Sequence, residues 1–257
     1  MEQLLTDSSQ KTNWKHIIVF YILACAIAWP FFWWRDVNPE SWGSWQLSPI
    51  VKTWTYMWGP GIAVIIVTLL FKEVRTRIKS VTFLGTSAIK SLAFWFVPFL
   101  LLAIPGIENS WGMNPHLFPI LAMGCLGFIS IIGEDSGWSY FLKNEMINIS
   151  PIKRSIIIGV LWELWHFTNR TANRTIISAV VSVTVMILFL IVLTYIMSKI
   201  TDRTKSLITA VTIHMWINVL SENGSIPVYI VFGISLLFWT FLFMTWDRPF
   251  LMKKSIA

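Results

Sequence analysis

What most constrains this chain is a succession of apolar runs, each near the length of a bilayer crossing, with polar residues left mainly to short connections. A helix that crosses the hydrocarbon core needs about 20 predominantly apolar residues. Eight segments approach that requirement, at 17–34, 54–71, 91–107, 117–142, 155–168, 176–197, 206–221 and 226–245. The sixth is the clearest, with no charged residue from Ile176 to Ser198. The expectation is an all-α membrane protein, an eight-transmembrane-helix bundle with a buried polar site. On this reading residues 1–16 are a cytoplasmic N-terminal segment, 17–245 the membrane domain and 246–257 a cytoplasmic tail. Only 13% of the residues are charged, against about 25% in soluble domains, so no separate soluble domain remains once the spans are counted. The 16 tryptophans fit a membrane protein because Trp favours the two interfaces.

The fifth and seventh spans are short and carry polar residues, which places them inside the bundle rather than against lipid. Pro30, Pro60, Pro98, Pro105 and Pro119 fall in or near spans, where neighbouring helices satisfy the freed carbonyls. Cys25 and Cys125 both lie in apolar runs and read as small buried hydrophobes rather than a disulfide framework. The first apolar run lacks a convincing cleavage site and reads as a retained span. The net charge of +7 does not mark a nucleic-acid binder, because the basic residues sit in loops between apolar runs rather than on one face of a folded domain.

Those loops set the orientation. With both termini cytoplasmic, the inside segments hold every Lys and Arg except Arg35, Lys52, Arg170 and Arg174, which is 16 of 20, as the positive-inside rule requires. At 1.5 Å rise per residue, His214 lies roughly 12 Å and His166 roughly 17 Å from the cytoplasmic boundary. Glu134 descends from the other side into the inner half. These depths let the three residues meet in one layer.

Ionisable residues at such depth are costly and usually mark a functional site. Glu134 and Asp135 end an apolar stretch within Gly133-Glu134-Asp135-Ser136-Gly137-Trp138-Ser139-Tyr140. Two adjacent acids titrate apart, which suits a general base; two solvated acids at a helix end are the plainer reading. In Trp162-Glu163-Leu164-Trp165-His166, Trp162 and His166 share a helical face and Glu163 neighbours His166, so a self-neutralising Glu–His pair is the alternative to chemistry. In His214-Met215-Trp216-Ile217-Asn218, an imidazole and a carboxamide four residues apart share a face. They could hold an oxyanion or simply hydrogen-bond helices together.

The three clusters, in this order on separate spans, resemble the CPBP family of intramembrane proteases, also called the Abi or type II CAAX-protease family. Its pattern is Glu-Glu-x-x-x-Arg, Phe/Trp-x-x-x-His, then His-x-x-x-Asn. Glu134 to Ser139, Trp162 to His166 and His214 to Asn218 stand in those places, and Gly137-Trp138, Trp165-His166 and Trp58-Gly59-Pro60 also look like the family. The resemblance covers about 54–221. It implies an intramembrane endopeptidase in which Glu134, assisted by His166, activates water while His214 and Asn218 stabilise the oxyanion. It implies a membrane-associated peptide or protein as substrate and, for bacterial members, a cell-membrane location with roles in peptide-precursor processing or bacteriocin immunity. Zn²⁺ is the cofactor that two His and two acids could bind, but no His-Glu-x-x-His motif is present and Asn is a poor zinc ligand, so metal-free glutamate catalysis is favoured. Departures are Asp135 for Glu, Ser139 for Arg, Tyr140 for a small residue, and the additional acid Glu163, which the i, i+3 spacing assigns to orienting His166. They motivate a rival expectation, a catalytically impaired membrane scaffold for a sensor or secretion protein. A proton-coupled transporter is a further rival, although no internal repeat supports it.

Overall fold

A computed structural model describes residues 11–37, 49–77, 79–109, 112–172 and 174–248, with the side chains at 33–37, 49–55 and 169 outside the description. Of the expected terminal segments 1–16 and 246–257, residues 1–10 and 249–257 lie outside the described residues, as do the side chains of Arg35 and Lys52. Among the described residues the chain is helical, with no strand and only an isolated parallel bridge between Thr82 and Ser206.

The elements in order are α1 (Trp14–Val37), α2 (Pro49–Leu70), the short α3 (Lys72–Thr76) and α4 (Ala88–Leu102). A continuous helical stretch, Pro119–Glu145, follows; it contains α5 (Phe128–Asp135) and ends in α6 (Leu142–Glu145). Then come α7 (Pro151–Trp165), the short α8 (Phe167–Thr171), α9 (Ile176–Thr204), α10 (Leu207–Asn223) and α11 (Ile226–Met244). Four stretches are long and apolar enough to cross a bilayer: Trp14–Phe32, Pro119–Glu145, Ile176–Thr204 and Ile226–Met244. The apolar part of α2, Tyr56–Leu70, and α4 are shorter. At 15 and 17 residues, α7 and α10 reach roughly 22 and 26 Å, short of a full crossing, and both carry polar side chains.

The stretch Pro119–Glu145 is not one regular α-helix. Its segments Pro119–Gly127 and Ser136–Phe141 are π-helical, a wider winding that disturbs the usual i→i−4 ladder. Indoles from neighbouring helices engage its carbonyls: Trp95 donates to Gly124 O at 2.9 Å and Trp58 to Ile129 O at 3.0 Å. Trp138, Trp162, Trp165 and Trp216 are fully buried within the bundle. An indole fills apolar space and can still bring an N–H to an oxygen, as Trp162 does to Glu134 Oε1 and Trp165 to Ala24 O, whereas the N–H groups of Trp138 and Trp216 donate to no described residue.

Glycines set how closely the helices approach. A Cβ on Gly59 would lie 3.0 Å from Ala28 Cβ, so α1 and α2 meet backbone to backbone there. A Cβ on Gly61 would lie 2.9 Å from Gly133 O, and one on Gly133 2.8 Å from Trp58 Cγ. Small residues permit this closeness in a membrane bundle. Here they lock α2 onto α5 one residue before Glu134. On the other side α7 packs on α9, and α10 lies between α4, α5 and α9.

Candidate active site

The two acids at the end of α5 are both buried and hold different partners. Glu134 Oε1 accepts the indole N–H of Trp162 at 2.5 Å. His166 Nε2 faces the same oxygen at 3.7 Å, beyond a direct hydrogen bond. Glu134 Oε2 is buried and accepts no hydrogen bond from any described residue. Asp135 is tied at both oxygens: Ser139 Oγ donates to Oδ1 at 2.9 Å, and His214 Nδ1 lies 3.3 Å from Oδ2. Trp162 joins the halves, its ring meeting the His214 ring edge-on at 5.1 Å.

The local chain explains these directions. Helix α7 ends at Trp165, and His166 sits in the turn between α7 and α8. Its Nδ1 lies 3.2 Å from Trp162 O. A carbonyl can only accept, so Nδ1 carries the proton, and in the neutral ring Nε2 presents a lone pair toward Glu134. The Asp135 carboxylate likewise accepts from Nδ1–H of His214, so only the imidazolium form carries a second N–H, at Nε2. Trp138 stacks on Trp162 at 6.0 Å and meets Trp165 edge-on at 5.9 Å. These three indoles wall the carboxylates and keep the surroundings of low polarity, where such contacts act most strongly.

Of the residues singled out in the sequence, the structure brings together Glu134, Asp135, Ser139, Trp162, His166 and His214. Asn218 lies one turn beyond His214 on α10 and is half-buried; no described hydrogen bond joins its side chain to the cluster. Glu163 is buried but turns to Arg170, whose Nε donates to Oε1 at 3.1 Å. The spacing-based assignment of Glu163 to His166 is thus replaced by a pair that ties α7 to α8. Signals that sequence reasoning passed over are Arg170 and Gly61; the latter is recognisable only as a small residue just after Trp58-Gly59-Pro60.

A Zn²⁺ site needs three or four protein donors converging within about 2 Å of one point. Among the described residues no group of three or more His, Cys, Asp or Glu is arranged to hold a metal. The donor set does not fit zinc.

The family model described as Type II CAAX prenyl endopeptidase Rce1-like matches residues 116–220. The match spans all three motifs and agrees with the resemblance read from them. It covers less than half of the chain and leaves Trp58-Gly59-Pro60 outside. Comparison with curated proteins and comparison with solved structures each gave no match.

Proposed function

We propose, on the premise that residues 116–220 belong to the Type II CAAX prenyl endopeptidase Rce1-like family, that this integral membrane protein is a glutamate-dependent intramembrane endopeptidase acting on a membrane-associated peptide or protein. The observation that carries the reading is the opposition of Glu134 and His166. Two acceptors, one a carboxylate and one an imidazole nitrogen, face each other 3.7 Å apart, and parting them to about 4.4 Å lets them take the two protons of a single water molecule. Oε2 of Glu134, which accepts no hydrogen bond from any described residue, is a second acceptor on the same carboxylate.

In the proposed reaction that water attacks the scissile carbonyl carbon while one of its protons passes to Glu134. The carbonyl oxygen becomes the oxyanion. Nε2–H of protonated His214 and the Asn218 carboxamide stabilise it, with Asp135 holding His214 through Nδ1. Collapse of the tetrahedral intermediate breaks the C–N bond, and the proton held by Glu134 goes to the leaving nitrogen. His166 orients the water and shares its second proton. The proposal includes eight spans with both termini in the cytoplasm, so that the site opens toward the inner half of the bilayer. Substrates consistent with it are CAAX-type proteins, or bacteriocin and pheromone precursors in a bacterial host.

The test is a peptidomic comparison in the native host between wild type and Glu134→Gln at equal expression. The expected result is a membrane peptide whose cleaved form vanishes and whose precursor accumulates. A specific observation, Ser139 where the family has Arg, favours the scaffold as the second reading. An unchanged peptidome together with full complementation by Glu134→Gln would establish it in place of proteolysis.

A further inference from the structure

We propose that a cavity between α2, α3 and α6 binds the phosphate group of an anionic amphiphile. The cavity measures about 370 Å³ including its open mouth. None of Glu134, Asp135, Trp162, His166 and His214 lines it, and the proposal does not depend on the protease reading.

The polar wall is built from Arg77, Lys79, Asn144 and Glu145. The carboxylate is already engaged: Arg77 Nε lies 3.4 Å from Glu145 Oε1, and His16 Nδ1 lies 3.2 Å from Oε2. Arg77 Nη2 donates to Lys11 O at 3.4 Å, but its buried Nη1 donates to nothing described. Asn144 Oδ1 accepts from both Ser80 N and Ser80 Oγ at 2.7 Å. That fixes the amide orientation and turns the NH₂ away from Ser80. Asn144 is only 6% exposed, yet its Nδ2 donates to no described residue. Lys79 Nζ stands 5.8 Å from the centroid of the Tyr140 ring, which lines the same cavity.

Buried N–H groups without acceptors are rare and costly, and a bound ion is one of the standard explanations. Here two of them share a cavity with the ammonium of the exposed Lys79. Two cations against one carboxylate leave a surplus of positive charge, which a singly charged phosphodiester neutralises; the guanidinium fork and amide donors suit its oxygens. The amphiphilic character follows from the rest of the wall. Val64 and Thr68 of α2, with Val74, give the cavity an apolar side. Further along α2, Ile65 and Leu69 are exposed, a surface for acyl chains directly beside the head group. Lys72 and Arg75 of α3 are exposed nearby, and basic segments at a membrane surface draw anionic lipids.

The test uses the full chain reconstituted in phosphatidylcholine bilayers, alone or mixed with phosphatidylglycerol, with and without soluble glycerol 3-phosphate. Thermal unfolding midpoints and lipid retention by native mass spectrometry are read. Asn144→Asp keeps the oxygen that serves Ser80 and replaces the donors with negative charge. Lys79→Gln removes an exposed ammonium and preserves the fold in case Asn144→Asp does not. The expected result is a raised midpoint with phosphatidylglycerol and a retention preference of roughly tenfold over phosphatidylcholine, the size of one charge-assisted contact. Both variants should fall to near parity. An equal rise with glycerol 3-phosphate in phosphatidylcholine alone would support the phosphate site with a soluble ligand as its source. An unaltered preference in both variants, or none in the wild type, would overturn it.

Discussion

Ser139 stands where the family pattern has an arginine, and its replacement by alanine tests whether the hydroxyl has taken over the task of holding the second acid. Asp135 has two anchors, Ser139 Oγ at 2.9 Å and His214 Nδ1 at 3.3 Å. The second is just beyond the usual N–H···O range of 2.7–3.2 Å, so the serine supplies the firmer one. A hydrogen bond to a charged group contributes roughly 1.5–3 kcal/mol, which corresponds to about 10- to 140-fold at 1.4 kcal/mol per tenfold. In Ser139→Ala the carboxylate can rotate, and His214 loses the restraint that aims its Nε2. The expected outcome is a kcat lowered by about 10- to 100-fold with KM little changed, because the lost interaction acts through the oxyanion that exists only along the reaction path. Ser139→Thr keeps the hydroxyl and should stay within about threefold of wild type. The assay is cleavage of the peptide identified through Glu134→Gln, by purified enzyme in bilayer discs. Turnover by Ser139→Ala within twofold of wild type would refute the reasoning and leave Asp135 held by His214 alone.

Further substitutions probe the scaffold around the site. Gly133→Ala sets a methyl 2.8 Å from Trp58 Cγ and 3.0 Å from its Cα. The overpacking should destabilise by about 1–3 kcal/mol and, by shifting α5 against α2, lower turnover by about 100-fold; unfolding in detergent and the cleavage assay read the two effects. Glu163→Gln breaks the pair with Arg170, which is partly exposed, so the expected loss is modest, about 1–2 kcal/mol, and the double variant Glu163→Gln/Arg170→Gln should cost less than the sum of the singles. Lys90 is buried, and its ammonium donates to Thr245 O, Trp246 O and Arg248 O at 2.6–2.8 Å; Lys90→Met, which strands three carbonyls at the end of α11, should cost about 3 kcal/mol or more in the same unfolding assay.

The meeting of Glu134, His166 and His214 was legible in the sequence because depth along a helix follows from residue count, and three motifs read at similar depth. The partners of individual side chains were not. The i, i+3 rule linked Glu163 to His166, but that rule holds only within a continuous helix. The helix stops at Trp165, and α8 then brings Arg170 to the carboxylate. The first π-helical segment, Pro119–Gly127, was hidden for a related reason: where residues are apolar or small on all sides, a change of winding leaves no mark on the hydrophobic pattern. Ser139 read as a loss relative to the family pattern, whereas one turn of helix places its hydroxyl on Asp135. Composition places Trp only by average preference, whereas Trp58, Trp95, Trp162 and Trp165 are each located by the particular oxygen the indole N–H reaches.

The order of the membrane-length helices by apolarity is the reverse of their order by burial. The most apolar, Ile176–Thr204, is 11% buried within its best window, and the least apolar, Pro119–Glu145, is 44% buried. Lipid imposes apolar side chains because it offers no partner for a polar one; a neighbouring helix imposes no such demand, since it can supply the partner. Polar chemistry therefore concentrates on the helices that look least like membrane spans. The stretch bearing Glu134 and Asp135 is the least apolar of the four, and α7 and α10, which bear Trp162 and His214, fall outside the four altogether. Exchanging lipid-facing residues of α9 such as Val181 and Val185 for other aliphatics should leave the site undisturbed. An aliphatic change at Met215 or Ala210, both buried on α10, acts on the packing that holds His214. Apolarity in this chain thus reports distance from the candidate site, and the short, polar-bearing helices are where substitutions that test the proposed function belong.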